Sequence, residues 1–403
     1  MAAPMPRLAP DSITTRPPAL IELIVYLASW SNSCGRRSDG APPAPPIIVG
    51  RRAGGEAEVG DPMTVTLEAE ISPGMGPGAC VELARRCERA GFDRFGLSDV
   101  VFWPDCFVLQ GLVAQATSRI HIGSMVTNPY SRHPAMLAGA VATLQELSGG
   151  RMFLGIGVGA GLEDLRIDYP RPVRALREAI VGIQGLLAGG TVDFDGEMFP
   201  IDGGRLVRPP KVPVPISVGT RSPQVMRLAG ELADIALVGA RHFTPQIARR
   251  YYGWLAEGAA RAGRDVADID IAPRLTLCVS SDGDLARRSV VRYVAHYLAI
   301  IRPSEIDPDR LAAIDEALTR ATGWYFDLDR YDPPELFDLV TEEWIRRYAI
   351  AGAPSEIPEQ VGEVTALGFT SASLNLAAVL RPTAVEGYAE TIDGFASVID
   401  DCR

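Results

Sequence analysis

The chain has 403 residues, 47% of them hydrophobic and 22% charged, which supports a sizeable core in one large domain or two. A formal net charge of −11 argues against a nucleic-acid groove or an anionic membrane surface as partner. Six cysteines without a CxxC pair, and only four histidines, exclude a disulfide framework and a His/Cys metal centre and fit a reducing cytoplasm.

Residues 1–62 are set apart by composition. "MAAPMPRLAPDSITTRPP" and "GRRSDGAPPAPPIIVGRRAGGEAEVGD" are rich in Pro, Gly, Ala and Arg without a period, and read as a disordered extension or an over-long gene start. Between them "ALIELIVYLASW" has some signal-peptide character. Glu22 interrupts it, it is too short to span a bilayer, and no small-residue cleavage site follows. Folding is expected to begin at Met63, with 63–403 as one domain.

From there strands and helices alternate. "TVTLEAEI" (64–71) is a strand, and "ACVELARRCERAG" has helical spacing with a glycine stop. "FDRFGLSDV" is a short strand, "FVLQGLVAQAT" a helix, "IHIGSMVTN" a strand and "PAMLAGAVATLQELSGG" a helix. "RMFLGIGVG" reads as a buried strand, "RPVRALREAIVGIQGLLAGG" as a helix and "TVDFDGEMFPI" as a small hairpin. "VPVPISVG", "IALVGA" and "DIDIAPRLTLCVS" are further strands, separated by the helices "SPQVMRLAGELAD" and "TPQIARRYYGWLAEGAARAG". A long helical segment is expected over 284–349, with an insertion at about 301–335, before the closing strand "GFTSASLNLA" and helix "TAVEGYAETIDGFASVI".

Strands apolar on both faces, alternating with helices, imply a parallel sheet covered by helices, and about eight pairs favour a closed (β/α)8 TIM barrel. In such a barrel the chemistry sits just after each strand. Those positions hold Glu70, Ser98 and Asp99, "MVTNPYSRHP" (125–134), "GIGVGAG" (155–161), "VGTRSP" (218–223) and "VGAR" (238–241). "GTRSPQVMRLAGELAD" pairs Gly219, a hydroxyl at Thr220 and a charge at Arg221 with Ser222 at a helix N-cap and Pro223 in first position. That arrangement suits a phosphate, and it suits equally an ordinary capped helix with a solvated arginine. "GIGVGAG" lacks the following helix and the spaced acid of a dinucleotide fingerprint, so its glycines read as strand packing.

The long stretch "VTNPYSRHPAMLAGAVATLQELSGGRMFLGIGVG" resembles the signature of the bacterial luciferase-like flavin/deazaflavin oxidoreductases. Within that superfamily it is most similar to the coenzyme F420-dependent methylenetetrahydromethanopterin reductases. The similarity extends through "VGTRSPQVMRLAGELADIALVG", "DIDIAPRLTLCVS" and "AGAPSEIPEQVGEVTALGFTSASL", most of residues 63–400. It implies a TIM barrel whose third strand carries a bulge with a non-proline cis peptide at Met125–Val126, against which the cofactor ring rests.

The same resemblance implies that Thr127 and Asn128 contact the polar edge of the ring. Gly157 and Gly159 leave room beside it, and Gly219, Thr220, Arg221, Ser222 and Gly239 hold the cofactor phosphate. Glu70 and Asp99 match the family's acids and are the expected catalytic carboxylates, either one a general acid or a paired structural group. Arg132 and His133 either fix the following helix or touch the ligand.

The implied activity is hydride transfer between F420 and an organic substrate, in a homodimer. The alternatives are an FMN-dependent monooxygenase and a degenerate, non-catalytic flavin-binding or partner subunit. Two departures motivate the last: Val100 stands where the family has His after the acid, and Ala160 where the methanopterin reductases have an acid. They also put the methanopterin substrate in question, and the aromatics of "ATGWYFDLDRYDPP" offer a lid, an oligomer contact or plain core.

Overall fold

The computed structural model describes residues 65–159, 162–322 and 331–403. The expected extension over 1–62, Ala160, and the aromatics Trp324, Tyr325 and Phe326 lie outside the described residues.

The first half of the chain repeats strand and helix: β1 (Thr66–Ile71), α1 (Pro77–Ala90), β2 (Arg94–Leu97), α2 (Cys106–Ala116), β3 (His121–Ser124), α3 (Pro134–Leu147), β4 (Met152–Ile156) and α4 (Pro172–Leu187). A two-stranded antiparallel hairpin follows, β5 (Val192–Phe194) with β6 (Ile201–Gly204). The alternation resumes with β7 (Ile216–Thr220), α5 (Pro223–Leu232), β8 (Ile235–Val238), α6 (Pro245–Arg261) and β9 (Asp270–Val279). Five helices come next, α7 (Gly283–Ser289), α8 (Val291–Ile301), α9 (Pro308–Arg320), α10 (Leu336–Leu339) and α11 (Glu342–Tyr348). The chain closes with β10 (Ile350–Gly352), α12 (Ile357–Thr365), β11 (Ser371–Leu376) and α13 (Ala384–Ala396).

Eight of these strands pair in parallel in the order β1-β2-β3-β4-β7-β8-β9-β11, and β11 pairs back onto β1. The sheet is therefore a closed (β/α)8 barrel. One apolar layer lies between barrel and helices: Leu67, Ala69 and Ile71 of β1 face outward onto Leu83 and Cys87 of α1 and onto their neighbours. Helix starts follow the local chemistry. Asp105 accepts the N–H groups of Phe107 and Val108, and Thr383 and Glu386 form a reciprocal capping box.

The expected long helical segment differs from what is observed. It is five helices, packed into a second apolar cluster with Tyr293, Leu298, Ile314, Trp344 and Tyr348 at its centre. A short strand ends it. β10 pairs with Leu277–Val279, at the far end of β9, and three residues are too few to show a two-residue period in sequence.

Candidate active site at the carboxyl rim

The apolar strand β1 carries acids at alternate positions, Glu68 and Glu70, so both point into the barrel while their neighbours face the helices. Glu68 lies level with Arg94 on β2 and Ser373 on β11. Across this layer Arg94 pairs with Asp270 at 2.6 Å, and Asp270 accepts the Thr370 and Ser371 hydroxyls at 2.5 and 2.6 Å. Burial alone would raise Asp270; Arg94 and the two hydroxyls overcome it and hold the carboxyl below its usual range. Glu68 goes the other way. Burial pushes its carboxyl up, and neither Arg94 nor the Ser373 hydroxyl offsets this.

One layer higher, toward the rim, the buried Glu70 accepts both Nε and Nη2 of Arg274 in a bidentate pair. The Ser98 hydroxyl adds a third donor at 3.1 Å. Glu70 is thus a fixed, fully engaged carboxylate at the head of β1. Asp99 is differently placed: half-buried, it accepts the Thr127 hydroxyl at 2.6 Å. The two carboxylates expected to share a role have separate environments.

The third strand has the expected irregularity. Gly123 pairs with Phe153 of β4, and pairing resumes at Thr127 with Ile156, so one extra residue lies in β3's continuation. The Met125–Val126 peptide in this bulge is cis. The Met125 side chain turns into the barrel with Phe153, Ile235, Leu237 and Ala272, so only its backbone faces the rim. Val126 stays half-buried, and its methyl groups fill the space above Gly157 and Gly219. A Cβ on Gly157 would lie 2.9 Å from Val126 Cγ2, and one on Gly219 would lie 3.0 Å from Cγ1. These two glycines therefore seat the Val126 shelf.

Thr127 and Asn128 are buried, and their polar groups are engaged. Thr127 gives its hydroxyl proton to Asp99, and Asn128 Oδ1 accepts the N–H groups of Tyr130 and Ser131, closing a turn. Gly159, at φ +93°, packs beside Asn128. Arg132 pairs with Asp105 and stacks on Phe107, while His133 Nδ1 accepts the Ala135 N–H as the N-cap of α3. His133 thus caps α3, while Arg132 ties the loop before it to the start of α2.

Across the rim, β7 ends at Thr220 and α5 begins at Pro223. Thr220 Oγ1 accepts the Ser222 N–H at 2.8 Å, which leaves its own proton free to donate outward. Ser222 is the N-cap but makes no side-chain cap bond, and Pro223 carries no N–H, so the amides of Gln224 and Val225 remain available. Arg221 is exposed and makes no ion pair among the described residues. Gly239 lies under its stem: a Cβ there would come within 3.0 Å of Arg221 Cγ. Small residues, a hydroxyl donor, a guanidinium and an open helix N-terminus are a donor set for a phosphate. Beside them, the Val126 shelf gives a flat surface, so the residues present fit a phosphate-bearing flavin or deazaflavin.

Residues 60–371 match the luciferase-like monooxygenase family. The chain belongs to that family. This luciferase-like chain is 30% identical over 294 residues to the 5,10-methylenetetrahydromethanopterin reductase of Methanolobus tindarius, covering 71% of this chain and 86% of the relative. It is 29% identical over 322 residues to an F420-dependent glucose-6-phosphate dehydrogenase of Beutenbergia cavernae, covering 76% and 89%. The solved coenzyme F420-dependent tetrahydromethanopterin reductase of Methanopyrus kandleri superposes with a TM-score of 0.70 at 26% identity, over 82% of this chain and 99% of that one. Enzymes of the F420-dependent and luciferase-like oxidoreductase kind are thus the relatives of this barrel.

Sequence reasoning missed Arg274 and Ser98 as partners of Glu70, and Arg241 with α8 at the rim. A signal existed for the first: Arg274 is a charge in the middle of the strand segment "DIDIAPRLTLCVS", four residues beyond Asp270, and in a closed barrel such a charge needs an acid in the interior.

Proposed function

We propose that the chain is an F420-dependent oxidoreductase acting on a small organic substrate at the carboxyl rim of the barrel. The observation that carries this reading is the pairing, on one rim, of the open N-terminus of α5 with the Val126 shelf. When bound, F420 supplies hydride transfer at C5 of its deazaflavin ring. Gly219, Thr220, Arg221 and Ser222 hold its phosphate, Gly239 keeps Arg221 in place, and the backbone of Met125 and Val126 supports the ring. Gly157 and Gly159 act indirectly, by seating Val126 and the Asn128 turn, and Thr127 and Asn128 hold the wall behind them.

Of the two acids, Asp99 is the one able to move a proton, because its one described hydrogen bond comes from the Thr127 hydroxyl. Glu70, paired with Arg274 and bonded by Ser98, is a fixed, charge-compensated group at the head of β1 rather than a proton carrier. The second reading, an FMN-dependent monooxygenase, is favoured by the family match itself. Titration of the purified protein with F420 and with FMN, followed by absorbance and fluorescence, separates them. Binding of F420 without retained FMN is expected, and tight retention of FMN would overturn the first reading.

We further assign the protein to the cytoplasm and to a homodimer. The five described cysteines are free and buried, as a reducing compartment allows. The outer faces of α2 and α3 expose Val108, Leu112, Met136 and Leu147, with Met136 71% and Val108 63% exposed, an apolar surface suited to a second copy.

A further inference from the structure

The loop that joins β7 to α5 is held at three successive carbonyls, each by a different element. Thr220 O accepts the Gly239 N–H at 2.9 Å, just beyond β8, and Ser222 O accepts the Met226 N–H at 2.9 Å in the first turn of α5. Between them Arg221 O accepts the Tyr251 hydroxyl at 3.1 Å. Tyr251 comes from the second turn of α6 and is half-buried. Its ring meets that of Trp254 edge to face, with centroids 5.0 Å apart. The hydroxyl has no part in the machinery described so far.

A trans peptide carries its C=O and N–H on opposite sides. In the 221–222 peptide both ends are engaged, the carbonyl by Tyr251 and the N–H by Thr220 Oγ1 at 2.8 Å. The plane cannot turn without straining both bonds. Its setting fixes the directions in which the Arg221 and Ser222 side chains leave the backbone.

α6 is in turn a firm base for α5. A Cβ on Gly230 would run into the Leu255 carbonyl oxygen, and one on Gly258 into that of Arg227, so the two helices touch backbone to backbone. Arg227 pairs with Glu257 at 2.6 Å. Just beyond α6, Arg264 donates to Gly230 O and Ala233 O at 3.2 and 2.8 Å. α5 is thereby gripped at its middle and its carboxyl end, and Tyr251 reaches a third point, the loop before its first turn.

We infer that Tyr251 is a positioning residue for the cofactor phosphate: its hydroxyl holds the 221–222 peptide in the orientation that presents Thr220, Arg221 and the open end of α5 to the anion. This rests on the reading of the 219–222 loop as the phosphate site, and it holds for F420 and FMN alike. A bond of this kind raises affinity by ordering the loop before the ligand arrives. Its loss is therefore felt by the phosphate and not by the ring.

The test is Tyr251→Phe, which removes the hydroxyl and keeps the ring against Trp254. Tyr252→Phe, on the exposed neighbouring tyrosine, is the control. Circular dichroism and melting temperature check folding. Fluorescence titration compares F420 with the phosphate-free deazaflavin that keeps the ring and ribityl chain, or FMN with riboflavin if FMN is the cofactor retained. Tyr251→Phe is expected to bind the phosphate-bearing cofactor about fivefold more weakly, the size of one neutral hydrogen bond, and the phosphate-free one as wild type does. Tyr252→Phe matches wild type with both.

An unchanged affinity in Tyr251→Phe, or an equal loss for both ligands, overturns the assignment. A wild-type protein that binds neither F420 nor FMN rejects the proposed function instead. Inorganic phosphate is then the probe. A rise in melting temperature with phosphate that is larger in wild type than in Tyr251→Phe sustains the role of Tyr251, and equal or absent rises overturn it.

Discussion

Arg274 of β9 grips Glu70 of β1 through two nitrogen donors, although β11 lies between their strands. The pair spans the barrel interior, where Glu70 is inaccessible to solvent and the Arg274 side chain is 22% exposed. Removing Arg274 leaves Glu70 charged and buried, and removing Glu70 leaves Arg274 charged and partly buried. Arg274→Gln and Glu70→Gln are each expected to lower stability by about 3 kcal/mol or more, with the double variant less damaged than the sum. Urea unfolding of the three proteins checks this, and an additive double variant would show that the two side chains do not act as a pair.

Asp99 provides the contrast. Its one described bond comes from Thr127, at the end of the bulged strand. Asp99→Asn is expected to slow the hydride-transfer step by about 100-fold with little change in F420 affinity, in the range of a lost general acid or base. Thr127→Val is expected to have a smaller effect. Stopped-flow absorbance of the cofactor measures the step, and equal rates for wild type and Asp99→Asn would remove Asp99 from the chemistry.

The glycines of β4 and its extension differ in what they touch. A Cβ on Gly155 would lie 1.9 Å from the Ser124 carbonyl oxygen, a backbone atom that cannot yield. On Gly157 the nearest atom is a methyl of Val126, at 2.9 Å. Gly155→Ala is expected to be the more destabilising, at the upper end of about 1–3 kcal/mol or beyond, and Gly157→Ala nearer the lower end. Gly157→Ala should also weaken F420 binding, because Val126 must move. Thermal melts with and without cofactor distinguish the two effects.

The lower barrel layer holds two carboxyls with opposite pH linkage. Glu68 has its carboxyl raised in the folded protein, so the unfolded chain ionises first as pH rises above about 4.5, and stability falls from there up to the folded value. Asp270 is lowered, so its contribution is present above the usual carboxylate range and fades as pH falls. Glu68→Gln is therefore expected to gain on wild type as pH rises above about 4.5, whereas Asp270→Asn should be at its worst above the usual carboxylate range. Denaturant unfolding at a series of pH values measures both slopes, and parallel curves for wild type and Glu68→Gln would contradict the first.

Met136 and Val108 stand out from α3 and α2 as exposed apolar side chains. Met136→Arg with Val108→Arg is expected to convert a dimer to a monomer without loss of fold, read by light scattering. A wild-type protein that is monomeric at micromolar concentration would dismiss the assembly.

Much of this protein was legible in its sequence, for a definite reason. A closed parallel barrel needs strands buried on both faces and helices with one apolar side, and both patterns are local. Hence the eight barrel strands and the N-cap at Ser222 could be placed along the chain, whereas the hairpin, read over 191–201, has its second strand at Ile201–Gly204. The motif around residues 126–159 carried the family. Pairing across the barrel was not local. That Arg274 reaches Glu70, that Thr127 serves Asp99, and that Arg241 stacks on α8 depend on strand register and on which helix crosses the rim. The sequence supplied the charges, and closure of the sheet chose their partners, because an ionised group in an interior without water is tolerable only beside its complement.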